Sequence, residues 1–195
     1  INMSINLQKG QKISLDKEAG VTLTKVIMGL GWDVMKTKGI FGIGSKTQDV
    51  DLDASCIMFD EQGNQTDAVW FRQLKSKDGS VVHTGDNRTG EGDGDDEQII
   101  VDLMAVPASV KSLVFTVNSF TSQNFSQIEN ATCRIVNASN NNEVARFNLS
   151  ALGSHNAQIM AKIYRHGGEW KMHAIGEIGN GRTFAELMPQ IIPNL

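Results

Sequence analysis

The sequence predicts a mainly all-β chain: a single-domain β-sandwich of about ten short strands with a short C-terminal helix. Three observations predict it. Short runs of alternating or β-branched apolar residues recur along the chain. Glycine, asparagine and aspartate clusters separate them at regular intervals. Only residues 183–192 show a helical period, with Phe184, Leu187 and Ile191 on one stripe. A parallel α/β sheet would need helices of 10–15 residues between its strands.

The elements follow in order. Residues 4–10 and 13–15 alternate polar and apolar and predict a short strand or two. Residues 22–32 predict a strand, with Val26, Met28 and Leu30 on one face, that runs into Gly29-Leu30-Gly31-Trp32-Asp33. Residues 36–48 carry Gly39, Gly42 and Gly44 and predict an exposed loop. A strand over residues 50–59 puts Val50, Leu52 and Ala54 on one side and Asp51 and Asp53 on the other, so two carboxylates project together. A turn at 60–64 leads to a strand over 68–74. Asp78-Gly79 supplies the positive-φ positions of a hairpin turn. Residues 81–83 and 97–103 predict strands on either side of an acidic loop. Residues 104–110 connect to a dense central strand at 113–117. Residues 131–136 and 144–149 pair across the turn at 137–142, and residues 157–164 pair with 170–178 across His166-Gly167-Gly168-Glu169. Pro189 is expected to shorten the final helix.

Composition places the chain among ordinary globular domains. It has 195 residues, 40% apolar and 21% charged, with a net charge of -4 and a pI near 5.5. One domain covering residues 3–195 is expected, with Met3 as the start. The mild negative charge argues against nucleic-acid binding, which needs basic patches facing phosphate. No apolar run approaches the roughly 18 residues needed to cross a bilayer, and no signal peptide is read at the N-terminus. Cys56 and Cys133 sit in separate apolar runs and read as free, buried thiols. No zinc-type spacing of cysteine and histidine is present.

The acid excess is concentrated in one stretch. Residues 85–97, Gly-Asp-Asn-Arg-Thr-Gly-Glu-Gly-Asp-Gly-Asp-Asp-Glu, hold six acids and one base, a net charge of -5, so the rest of the chain sums to about +1. Carboxylates held close by a curling, glycine-interleaved backbone repel one another. A divalent ion relieves that repulsion, and calcium takes six to eight oxygens from carboxylates, amides and carbonyls. Asn87 adds a neutral oxygen, and Asp51 and Asp53 offer a second carboxylate pair that a sandwich can bring alongside. The loop is not an EF-hand: counted from Asp86, positions 3 and 5 are Arg88 and Gly90. The plain alternative is a solvated acidic turn.

Several stretches resemble the TerD family of tellurium-resistance and stress-response proteins. They are Gly31-Trp32-Asp33, Asp51-Leu52-Asp53-Ala54, residues 74–80, residues 83–97, Ala145-Arg146-Phe147-Asn148-Leu149 and residues 164–171, in the same order. The resemblance implies a calcium-binding β-sandwich, cytoplasmic or loosely membrane-peripheral, without enzymatic activity, that acts as a calcium-ordered sensor or scaffold for protein partners. It implies that Asp51, Asp53, Asp86, Asn87, Asp95, Asp96 and Glu97 coordinate one or two Ca2+ ions, aided by carbonyls near Gly90 and Gly92, with Glu91 and Asp93 as weaker candidates. The 36–48 loop is longer than the family pattern, and residues 155–158 replace a more acidic and apolar stretch.

Other chemistry has less support. A metal-dependent phosphoester hydrolase could use the same carboxylates to activate water and clamp a phosphoryl group, yet Arg88 stands alone as a cation in the loop and no general base is evident. Thiol chemistry on tellurite needs accessible thiolates. His83, just before the loop, is expected to brace it. Trp32, Trp70 and Trp170 read as core residues.

Overall fold

The computed structural model describes residues 4–34, 36–37, 46–47, 51–85, 95–148 and 153–195. Its strands are β1 (Ile5–Asn6), β2 (Lys12–Ser14), β3 (Lys25–Val34), β4 (Lys36–Thr37), β5 (Lys46–Thr47), β6 (Leu52–Asp60), β7 (Gln65–Val69), β8 (Val81–His83), β9 (Glu97–Asp102), β10 (Val110–Ser119), β11 (Ile128–Asn137), β12 (Asn142–Asn148), β13 (Ala157–His166) and β14 (Glu169–Gly179). The helices are α1 (Leu15–Ala19) and α2 (Phe184–Ile191). Twelve strands form two six-stranded sheets, ordered β1-β12-β11-β3-β9-β8 and β2-β14-β13-β10-β6-β7, while β4 pairs with β5. The expected β-sandwich with a short C-terminal helix is the observed fold.

Strand alternation builds two cores. Residues such as Leu30, Trp32, Leu52, Ala54, Phe115, Val117 and Ile135 point between the sheets. The opposite side of the second sheet is also apolar: Ile57, Phe59, Val114 and Ile159 bury against Phe184, Leu187 and Ile191 of α2. Each such large side chain contributes about 1.5–3 kcal/mol by leaving water. This explains why β6 is buried along nearly its whole length. One of its faces meets the other sheet, and the other face meets or adjoins the helix layer.

Four local differences from the sequence expectation have physical causes. Leu15 does not extend a strand but opens α1, whose five residues are too few to show a helical period; the turn ends at Gly20 and Leu15 is fully buried. The strand expected at 68–74 is Gln65–Val69, because Trp70 and Gln73 exchange backbone hydrogen bonds and turn the chain. Asp67 holds that turn, accepting from the Gln73 side chain at 2.8 Å and from Lys77 N–H at 2.7 Å. Pro189 lies inside α2, which continues to Ile191 because Leu187 and Ile191 are buried on the sheet. Within the predicted 36–48 loop, the described residues are the short pair β4 and β5. The expected hairpin turn at residues 77–80 is present, with Gly79 at φ 79° and its N–H bonded to the Ser76 carbonyl.

Candidate metal centre

The site begins with the alternation of β9. Glu97, Ile99 and Val101 are buried, while Gln98, Ile100 and Asp102 are partly exposed. Glu97 therefore points inward with the core row and is 1% exposed. A carboxylate there requires a donor, since an unpaired buried charge is strongly disfavoured. Its Oε2 accepts the Ala54 N–H at 2.7 Å. That bond crosses from the first sheet to β6 of the second.

His83 lies between Gly85 and Glu97. Its Nδ1 accepts the Gly85 N–H at 3.1 Å, and its Nε2 lies 3.2 Å from Glu97 Oε2, near in distance but without the alignment of a hydrogen bond. One buried imidazole thus touches residues at both ends of the 85–97 segment. Thr84 N–H also donates to the Gln98 carbonyl at 2.9 Å. These are the contacts that a bracing role for His83 calls for.

Asp96 and Asp95 leave β9 in different directions. Asp96 N–H donates to the Leu30 carbonyl, and its Oδ2 accepts the Trp32 N–H, both at 2.8 Å. Burial pushes its carboxyl above the usual carboxylate range. The charges of Asp33 and Asp95 add to that rise, against the opposing Trp32 hydrogen bond. Asp95 faces the outside of the first sheet. Arg134 Nε donates to its Oδ1 at 2.7 Å and Nη2 to its Oδ2 at 3.1 Å, a two-point guanidinium–carboxylate pair.

The second limb comes from β6. Leu52 and Ala54 face the inter-sheet core, so Asp53 faces the other side of its sheet, opposite Asn118 of β10, and is 5% exposed. Asp51 precedes the first strand residue, and its carbonyl accepts the Phe120 N–H at 3.3 Å. The Ala54–Glu97 bond joins this limb to the end of the acidic segment, across 43 residues of chain.

Of the nine sequence candidates, the structure describes Asp51, Asp53, Asp95, Asp96 and Glu97. Asp86, Asn87, Gly90 and Gly92, with the weaker Glu91 and Asp93, lie outside the described residues. Glu97 meets the 51–54 limb, and Asp96 is its chain neighbour. Asp95 is turned away onto Arg134. Asp53 and Glu97 are buried, and the burden of like charge falls on Asp96; carboxylate oxygens of this kind suit a hard divalent cation, although among the described residues no three of them gather as a cation site. Sequence reasoning passed over Arg134, which sits in an ordinary strand pattern 39 residues from Asp95. The only local hint was one arginine within an otherwise uncharged run.

The remaining candidates are structural. Both cysteines are free and fully buried. Burial pushes the Cys133 thiol up to about 12 and the Cys56 thiol higher still. Trp32 and Trp170 are buried, while Trp70 is half-buried and packs edge-on against Phe71 and Phe184.

Comparison with known proteins places the chain in a family. The TerD domain model matches residues 3–190. Tellurium resistance protein TerZ of Serratia marcescens is 44% identical over 189 residues, covering 96% of this chain and 97% of that protein. Stress response protein SCP2 of Bacillus subtilis is 42% identical, covering 97% of this chain and all of that protein. A crystal structure of a homologue of telluride resistance protein (TerD) from Streptomyces coelicolor matches with a TM-score of 0.70 at 19% identity, covering 85% of this chain and 97% of that one, a likeness of fold. The chain therefore belongs to the TerD family, whose relatives are named for tellurium resistance and stress response.

Proposed function

We propose that this chain is a non-enzymatic calcium-binding protein of a tellurite-resistance and stress-response system, cytoplasmic, in which one or two Ca2+ ions order a surface for protein partners. The observation that carries the reading is the junction of two carboxylate-bearing limbs. Glu97 Oε2 lies 2.7 Å from Ala54 N, which draws the Asp51–Asp53 limb to the end of the acidic segment. Asp51, Asp53 and Asp96 are the described residues that would hold the ion, with Asp86, Asn87 and the carbonyls of Gly90 and Gly92 added from the sequence. Bound calcium supplies compensating charge and an oxygen-rich coordination sphere. Glu97 and His83 then act as the frame, since their contacts span the two sheets and the two ends of the segment. The names of the relatives support the stress-response setting, and none of those quoted denotes an enzyme.

Calorimetry with calcium, together with melting in calcium and in chelator, tests the proposal. Saturable heat and a higher melting temperature with calcium are expected. The Asp53→Asn variant, altered outside the acidic loop, is expected to bind more weakly by roughly tenfold or more. No heat and no shift in the unaltered protein would sink the reading.

A further inference from the structure

Asp95 sits in a socket built by three neighbouring strands. Arg134 of β11, Gly29 of β3 and Gln98 of β9 stand in one cross-strand row, since Arg134 pairs with Gly29 and Gly29 pairs with Gln98. The Asp95 carboxylate lies over Gly29, where an added Cβ would come within 2.2 Å of Oδ2 and 2.3 Å of Cγ. Arg134 grips both oxygens from one side, and Gln98 Nε2 donates to Oδ2 at 3.1 Å from the other. Arg134 is fixed in turn by Glu143, at 3.3 Å, which Arg146 and Ser4 hold. The Asp95 side chain is 6% exposed.

The geometry points to Asp95 as the anchor of the acidic segment rather than a cation ligand, with Arg134 and Gly29 as positioning residues for the calcium site. The inference rests on the calcium reading above. Its reasoning is mechanical. A carboxylate clamped at both oxygens fixes where the chain leaves β9, and so where Asp96 and Glu97 present theirs. Moving Asp95 to a cation would break a charge-assisted two-point pair. A pure charge effect and a positioning effect differ in sign. Arg134 is a cation near a cation site, so by electrostatics alone its removal strengthens calcium binding. As a positioning residue, its removal weakens it.

The test is calcium calorimetry on the full chain with Arg134→Gln, Arg134→Lys, Gly29→Ala, Asp95→Asn and the Arg134→Gln/Asp95→Asn double variant. Arg134→Gln and Gly29→Ala are each expected to weaken binding by about 10- to 100-fold, the usual range for groups that orient ligands. Stoichiometry stays unchanged, Arg134→Lys falls between, and the double variant is no worse than either single one. Tighter binding by Arg134→Gln would overturn the inference and make Asp95 a ligand that Arg134 withholds. Melting of the same variants in chelator supplies a readout independent of calcium. Non-additive shifts for Arg134 and Asp95 are expected, and additive ones overturn the anchor. If the unaltered protein binds no calcium, the functional reading falls while this cycle still decides the anchor.

Discussion

The buried Glu97 makes the sharpest stability prediction. Its carboxylate is the acceptor for Ala54 N–H in the space between the sheets. Glu97→Ala removes that acceptor and strands an N–H in the interior, at a cost of about 1–3 kcal/mol. The truncation also removes packed atoms from a core row, which adds to the loss. Relief of a desolvated charge works in the other direction, so the net is about 2 kcal/mol. For a chain of this length, about 2–4 °C of melting temperature accompanies each kcal/mol, giving a fall of about 4–8 °C. Glu97→Gln keeps an oxygen in reach of Ala54 and exchanges a charge-assisted bond for a neutral one, a loss nearer about 1 kcal/mol. Thermal unfolding at pH 7 with excess chelator separates the two variants from any metal effect. If Glu97→Gln melts as low as Glu97→Ala, the charge rather than the acceptor matters and the argument is refuted. If Glu97→Ala melts with the unaltered protein, the bond between the sheets contributes nothing.

Three further outcomes are expected. Asp96 is held above the usual carboxylate range, chiefly by burial; a raised folded value means stability declines as pH rises through it. Asp96→Asn should therefore melt no lower than the unaltered protein at pH 7 in chelator, yet gain less from calcium; a large loss in chelator would contradict the repulsion argument. Glu143 is held down to about 2 by its Arg146 hydrogen bond, with Ser4 and Arg134 adding to the effect. Its contribution is complete above its ordinary value near 4.5 and lost as pH falls toward 2, so Glu143→Gln should flatten the acid limb of a stability–pH profile over that window. Cys56 and Cys133 should resist iodoacetamide at pH 8 until the chain unfolds, as mass spectrometry would read; rapid labelling of the native protein would show that the thiols are reached.

Local periodicity carried most of the fold. In β9 the alternation that separates Ile99 and Val101 from Ile100 and Asp102 is a property of the extended backbone, so it survives in any tertiary setting. The same rule placed Leu52 and Ala54 opposite Asp53. It could not say that both sides of β6 would be covered, because α2 arrives from 125 or more residues downstream. Likewise α1 and the Trp70–Gln73 turn are held by burial and by side-chain contacts that have no period to read.

The sequence by itself determined that charge gathers in residues 85–97, that a second acid pair waits at Asp51 and Asp53, and that alternating strands carry both. Composition and period are local quantities, and they sufficed for that. Only the tertiary structure decided how neighbouring acids divide their work. Glu97 turns into the core to meet Ala54, Asp96 takes the Trp32 N–H, and Asp95 turns outward to Arg134. The reason is that the strand period governs only Glu97, the first residue of β9, while Asp95 and Asp96 precede the strand, so each comes to rest where a remote N–H or guanidinium satisfies it.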